Sequence, residues 1–554
     1  MRIGFRSSAP ATEPIPIHGA SCPSPFRTPL FRLFCFYPVF PPSVTAFAVT
    51  SPSQGGRTPV FSTSRQRSRS HQSPSTITVR TPLMSTTQAV NGDGTTREAA
   101  QPAVAQGSMK YVIILALSAG MAGLLYGYDA VSISGAIGFL QELYDLTPAH
   151  EGLIVSSIFI GGVVGVGVSG FLSDRIGRRK VMMFGALFFF IAGLFSAFTQ
   201  SPEQLIAARI IGGLGIGLSS SISITYVTEC APAKWRGTLS SMYQFLCIIG
   251  IFLTNIINFC IAQSGSHEWG VSTGWRWVLG IGAAPALVLF VFMLFAPESP
   301  RFLMQSGKEE QGFRILERIN GTAGAREEAK AIEASIKLDQ SGSFAELFGP
   351  GLRKALLVGI FLAVFNQAVG QNTISFYGPT IFRNAGFGGN SEFLASTMVG
   401  GVELVFTVVG MVLIDRAGRK PLMLWGTSLM AVFAVAMALT FMFDAPGVLV
   451  VVFACGFIAA FAFSMGPVTW VMIPELFPTH LRGRASGLCG VFIWGTAWLI
   501  GQFTPMMFAS WGGQGMFLFF AVLDIIGFLG VRFLVPETKG KRLEEIQEFF
   551  RPAK

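Results

Sequence analysis

From Tyr111 onward, apolar runs of about twenty residues alternate with short polar knots, the spacing required by helices crossing a hydrocarbon layer ~30 Å thick. The runs lie near 111–138, 152–172, 181–199, 203–227, 239–262 and 275–296. Six more lie near 355–378, 393–414, 421–443, 447–473, 486–508 and 514–535. Between the two sets, a polar segment with helical charge patterning (Glu309, Arg314, Glu317, Arg318, Glu327, Glu328, Lys330) replaces the apolar pattern. The expected fold class is an all-α membrane protein with twelve transmembrane helices in two six-helix bundles. The N-terminal bundle occupies residues 109–297 and the C-terminal bundle 352–536, with a linker of short helices at 298–351 and a tail at 537–554.

Residues 1–108 follow no such pattern. They are rich in Ser, Pro and Arg, and Glu13 is the only acid before Asp93. A segment so poor in large apolar side chains is expected to be disordered. Its composition resembles an organelle transit peptide, and Met84 opens an ordinary hydrophilic leader, so a misassigned translation start is the alternative. The semi-apolar stretch 30–49 is no span, because Arg32, Pro38, Pro41 and Pro42 interrupt it.

Composition narrows the class further. Of the 554 residues, 51% are hydrophobic and 13% charged, which excludes a water-soluble globule. The formal charge of +10 sits in short loops and the N-terminal arm, which argues against nucleic-acid binding. The seven cysteines (Cys22, Cys35, Cys230, Cys247, Cys260, Cys455, Cys489) show no metal-ligand spacing and read as small core residues. No histidine (His18, His71, His150, His267, His480) lies inside an apolar run, so no metal or other cofactor and no catalytic site is expected.

Loop charge sets the expected topology. Arg175, Arg178, Arg179, Lys180, Lys234, Arg236, Arg416, Arg419, Lys420, Arg482 and Arg484 all fall on one side, and the alternate loops carry almost only Arg383. Basic loops stay in the cytoplasm, so both termini and the linker are assigned there. The two halves also repeat. Asp174-Arg175-Ile176-Gly177-Arg178 returns as Asp415-Arg416-Ala417-Gly418-Arg419, Glu229 with Arg236 returns as Glu475 with Arg482, and Pro297-Glu298-Ser299 returns as Pro536-Glu537-Thr538. Three motifs recurring in order about 240 residues later mark a parallel repeat of the kind used by alternating-access transporters with a site between the halves.

The intramembrane polar residues carry the candidate chemistry. Asp129 in span one and Arg209 in span four have similar estimated depths. A carboxylate there needs a partner or a proton, so a pair that separates with conformation would couple proton uptake to transport. A wet vestibule for Asp129 with Arg209 reaching outward is the alternative. Span seven supplies Asn366, Gln367, Gln371 and Asn372 around Gly370, with Gln367 and Gln371 expected on one face and the glycine able to loosen the helix. Trp470 and Trp494 lie ~12 Å from the cytoplasmic ends of spans ten and eleven, so their indoles could line one cavity, with interfacial anchoring as the alternative. Glu403 and Asp524 are two further intramembrane acids without an assigned role, for which a protonated carboxyl bonded to a neighbouring helix is the simpler reading. Arg178, Arg236, Arg419 and Arg482, with Glu229, Glu475 and Asp415, read as a gate at the cytoplasmic ends, pairing across it when the protein faces outward.

At this point the chain resembles the sugar porters of the major facilitator superfamily. The resemblance rests on Gly123-Leu124-Leu125-Tyr126-Gly127-Tyr128-Asp129, the Asp-Arg-x-Gly-Arg loops, Arg209-Ile210-Ile211-Gly212-Gly213, Pro297-Glu298-Ser299-Pro300-Arg301 and Pro536-Glu537-Thr538-Lys539-Gly540, across about residues 110–548. Ser264-Gly265-Ser266 followed by Gly274-Trp275-Arg276-Trp277 is similar to bacterial D-xylose/proton symporters. The resemblance implies a major facilitator fold, no enzymatic activity, and proton-coupled symport of a sugar or polyol by a protein that functions as a monomer in a lipid bilayer, by default the plasma membrane. It implies proton coupling at Asp129, and sugar contacts at Gln244, Gln367, Asn372, Trp470 and Trp494.

Several positions depart from that pattern. Asn366 replaces the first Gln of a usual pair, Phe376 replaces a Tyr, Ile251 and Ile493 replace Gln, and Gly282 replaces an acid. Each loses a donor or reach, which puts D-xylose itself in doubt. A facilitator or exporter of another small solute and a non-transporting nutrient sensor are the competing expectations.

Overall fold

The computed structural model describes residues 108–550 except 233–234, 340–343, 350–351, 479–480, 542–544 and 546–548. The expectations for residues 1–107, including the transit peptide, Cys22, Cys35, His18 and His71, lie outside the described residues, as do Lys234, His480 and the end of the tail.

The described elements are helical. Ten helices long and apolar enough to cross a membrane run from Met109–Tyr144 (span one) through Pro148–Ile176, Arg178–Phe198, Pro202–Cys230, Arg236–Gln263 and His267–Phe295 to Arg353–Asn384, Ser391–Ala417, Arg419–Met442 and Gly447–Glu475 (span ten). The eleventh helix, Arg482–Leu534, has 53 residues, about 80 Å of rise and so far more than one crossing needs. It breaks at Gly512, whose φ of 67° and ψ of 178° lie outside the helical region. Cys489 before the break packs on Gly359, and Gly530 after it packs on Phe361, two residues along the same helix. The chain therefore reverses at Gly512, and the segment is spans eleven and twelve.

Local sequence explains the helix starts. Thr147-Pro148, Ser201-Pro202 and Ser299-Pro300 each place a hydroxyl cap before a proline at the first helical position, and the cap oxygens accept from the backbone of His150, Gln204 and Phe302. Between Pro300–Gln305 and span seven lies a linker helix, Glu309–Asp339, bent at Gly321. It buries Leu316, Ala325 and Ile332 beneath the bundle in a small core of its own.

The repeated loop motifs prove to be one structural device used twice. Gly177 and Gly418 separate spans two and three, and eight and nine, at φ values of 98° and 94° that L side chains rarely adopt. A Cβ there would also collide with the carboxylates of Glu298 and Glu537. Those carboxylates cap the following helix. Glu298 accepts from the backbone N–H of Arg178 (2.9 Å) and Arg179 (3.1 Å), and Glu537 from those of Arg419 (3.2 Å) and Lys420 (3.0 Å). An acid at a helix N-terminus satisfies orphan donors and complements the helix dipole. The Pro-Glu-Ser and Pro-Glu-Thr motifs thus pin the ends of spans six and twelve to the starts of spans three and nine.

Backbones approach closely at glycines. Gly123 and Gly127 lie on the carbonyls of Tyr243 and Cys247 in span five, and Gly161 and Gly213 interlock spans two and four. Such small-residue seams replace the hydrophobic driving force that lipid does not provide. The Gly-x-x-x-Gly of span one sets the depth at which Asp129 faces its neighbours.

Candidate functional site

Asp129 and Arg209 are both buried, and Arg209 Nη2 lies 3.7 Å from Asp129 Oδ2. The matched depths expected from sequence are therefore realised as an ion pair rather than as two outward-facing charges. The contact is longer than a hydrogen bond, and Arg209 is held instead by the Val155 carbonyl at 3.3 Å, while its Nε has no partner. This pair is loosely made.

Span seven breaks where the sequence placed its glycine. Gly370 adopts φ 95°, ψ 3°, against the ring of Phe520, and separates Arg353–Ala368 from Gln371–Asn384. A chain of amides crosses the break: Asn366 donates to the Met465 carbonyl (2.9 Å), Gln367 to Asn366 (2.7 Å), and Asn372 to Gln367 (2.5 Å). Across the break the two glutamines have different partners: Gln367 bonds Asn366 and Asn372, while Gln371 donates to Ser375 (2.9 Å) and lies 3.4 Å from Glu403. Span ten is interrupted too, at Ser464, with φ −124° and ψ −96°.

Trp494 is buried and seated on Gly162, with Tyr126 at 5.4 Å and Phe159 at 5.8 Å between ring centroids. It thus packs the second half against the first. Trp470 is 41% exposed and Gln244 is half-buried. Phe376 packs on Phe159 at 5.5 Å, and Gly282 packs on the Tyr128 ring, whose hydroxyl donates to the Val278 carbonyl (2.7 Å). A larger side chain at 282 would have to displace that ring.

Glu403 faces a cavity of about 10 Å³, room for roughly one water, lined from both halves by Asn255, Ser375, Ser396 and Gly400 among others. Asp524 is fully buried, and neither carboxyl oxygen has a hydrogen-bond partner.

At the end bearing the basic loops, Arg178 pairs with Glu229 (3.1 Å) and Asp174 (3.1 Å), and Arg419 with Glu475 (3.2 Å) and Asp415 (3.4 Å). Ser299 donates to Glu229 and Thr538 to Glu475, again as a repeat. Each cluster is confined to its own half. Arg236 turns to Glu328 of the linker helix (2.8 Å) rather than to Glu229 or Glu475. Among the described residues Arg482 makes no ion pair, and its Nε is buried without a partner.

At the far end the halves are joined directly. Gly152 lies on the Gln502 carbonyl, Ser156 donates to Gln502 (3.2 Å), Gln502 to Ala149 (2.9 Å), and Asn390 to Ala262 (2.9 Å). Phe139 stacks on Phe393 with centroids 6.2 Å apart. Sequence reasoning passed over Glu151, a buried acid at this end of span two, because it looked like an ordinary first-turn acid of a capped helix.

Comparison with known proteins accords with this architecture. The family model described as "Sugar (and other) transporter" matches residues 115–550. The chain is 53% identical over 450 residues, 81% of its length and 97% of the relative, to the arabinose-proton symporter of Bacillus subtilis. It is 33% identical over 480 residues, 81% of its length and 97% of the relative, to the D-xylose-proton symporter of Escherichia coli. The E. coli xylose transporter in a partially occluded inward-open conformation superposes with a TM-score of 0.71 at 31% identity, covering 78% of this chain and 100% of that one. The same transporter, described as a major facilitator superfamily proton:xylose symporter and bound to a bromodeoxyglucose, gives 0.69 at 33% identity, over 80% of this chain and 99% of that one. The protein is a multi-pass membrane transporter rather than an enzyme, and with its twelve spans in the major facilitator fold it belongs to the sugar (and other) transporter family.

Proposed function

We propose that this protein is a proton-coupled pentose symporter, with arabinose as its first candidate substrate. The observation that carries the reading is the buried, loosely made pair of Asp129 and Arg209. A membrane-embedded carboxylate whose one paired cation among the described residues stands 3.7 Å away is stabilised when charged by that cation and when neutral by the low dielectric, so a small movement of span four against span one exchanges the two states. The sugar would lie between the halves, where Gln367 and Asn372 offer amides and Trp494 an apolar face. Gln244 and Trp470, which lie at partly exposed positions, would complete the lining from spans five and ten.

The choice of arabinose is supported by the 53% identity to an arabinose-proton symporter against 33% to the D-xylose symporter, and by Asn366, Phe376, Ile251 and Ile493, which change the polar lining. The positive loops support cytoplasmic termini, and the bacterial relatives support the plasma membrane, with the monomer as the working unit. In that orientation the contacts at the far end seal the outside, and the likeness to an inward-open conformation supports an inward-facing state. Arg178, Glu229, Arg236, Asp415, Arg419, Glu475 and Arg482 would act as the cytoplasmic gate, their present partners being those of its open form.

The test is uptake of labelled arabinose, xylose, galactose and inositol into proteoliposomes, with and without an inward proton gradient. Accumulation of arabinose above equilibrium only with the gradient is expected. Equilibration at the same rate in both conditions would refute proton coupling, and failure to move any pentose would refute the substrate class.

A further inference from the structure

The Asp129–Arg209 pair lies below the sealed far end, and protons reaching it from outside need a route. Glu151 stands at the start of that route. It is the fourth residue of span two, is only 5% exposed, and shares a helix face with Val155, one turn or ~6 Å deeper. The Val155 carbonyl accepts from Arg209 Nη2 at 3.3 Å, and Arg209 in turn faces Asp129. Glu151, Val155, Arg209 and Asp129 therefore form a descending line within the first half.

The second half contributes one residue to this line. Tyr377 of span seven is buried, within electrostatic reach of both Glu151 and Arg209. Its hydroxyl donates to the Gly501 carbonyl of span eleven at 2.8 Å. Gly501 precedes Gln502, the residue against which Gly152 and Ser156 close. Tyr377 is thus anchored within the second half, one residue from the contact that shuts the far end, and it leaves with that half when the end opens. The other charged groups near Glu151 are His150 beside it and Glu203 at the start of span four, within reach of His150 at the rim.

We propose that Glu151 is the outer proton port of the transporter, passing protons to the Asp129–Arg209 pair when the outside is open, and that Tyr377 plugs this port when the outside closes. This rests on the symporter reading above. The chemistry is proton transfer alone: a proton from the external medium binds a carboxylate oxygen of Glu151, then moves through water to a carboxylate oxygen of Asp129, leaving Glu151 ionised for the next cycle. A fixed acceptor of this kind matters where external protons are scarce and not where they are abundant.

The experiment is arabinose uptake by the full chain in proteoliposomes as external pH is raised, for wild type, Glu151→Gln and Glu151→Asp. Glu151→Gln is expected to match wild type near about pH 5.5 and to fall about tenfold behind it near pH 8, with Glu151→Asp restoring most of the difference. Profiles of wild type and Glu151→Gln that run parallel across the range overturn the proposal. Should Glu151→Gln not fold, Tyr377→Ala gives an independent reading: sugar-free proton leak several-fold above wild type is expected, and an unchanged leak overturns the plug. Asp129→Asn is measured alongside. Gradient-driven accumulation that survives in Asp129→Asn sinks the coupling reading itself, whatever Glu151 does.

Discussion

Gln371 Nε2 stands 3.4 Å from Glu403 Oε1, joining spans seven and eight beside a cavity that Asn255 closes from the first half. The contact is long and the carboxyl otherwise faces space for roughly one water, so this acid is positioned to meet a polar ligand group rather than to staple two helices. Replacing Glu403 by Gln keeps size and hydrogen-bonding capacity and is expected to change the apparent affinity for sugar less than about threefold, whereas Glu403→Leu should weaken it about tenfold or more. Sugar counterflow measures both. Equal behaviour of the two variants would show that the side chain only fills space.

Asp129→Asn removes the titrating group and leaves a neutral side chain of the same shape beside Arg209. Uphill accumulation is expected to disappear, the internal-to-external sugar ratio falling to about one, while exchange of labelled for unlabelled sugar continues. Loss of exchange together with accumulation would mean that Asp129 holds the fold or the sugar rather than the proton.

Gly370 combines a left-handed backbone with direct contact to Phe520. Alanine there carries about 1–2 kcal/mol of backbone strain before any clash is counted. Gly370→Ala should lower the thermal midpoint in detergent and reduce transport more than the same change at Gly487, which has open space around it. Indistinguishable midpoints would show that the break in span seven does not depend on this residue.

Asp524 spends stability without an evident return. A buried polar group lacking partners costs about 1–3 kcal/mol, so Asp524→Leu should raise the thermal midpoint by a few °C and leave sugar uptake unchanged. A drop in transport would instead assign this carboxyl a part in the cycle.

The hydrophobic pattern made the first ten spans legible to within a few residues at most ends, because lipid solvation leaves a long uninterrupted signature. It also separated spans eleven and twelve, which the backbone joins as one helix broken at Gly512 with hardly any polar loop. The repeat motifs were visible as sequence, yet their reason was not. That Glu298 caps the helix beginning at Arg178 is a relation across 120 residues, and no local pattern carries it. The same limit applies to the site. Asp129 and Arg209 could be matched by depth, since rise per residue is fixed, but the break at Gly370 that separates Gln367 from Gln371, and the partners each takes, could not be read from spacing. Glu151 was hidden for a different reason: acids at helix starts are common, and only the position of Val155 beneath it and of Tyr377 across from it sets it apart.

The two arginine clusters at the basic end have a consequence for the energetics of opening. Arg178 and Arg419 are each neutralised by acids of their own half, and both halves carry the same arrangement. These two arginines keep partners within their own half, so parting the faces leaves neither of them bare. Opening from a closed form in which they pair across the divide is then an exchange of ion pairs rather than an outright rupture, and its rate should depend less on ionic strength than that of a latch whose charges are left bare.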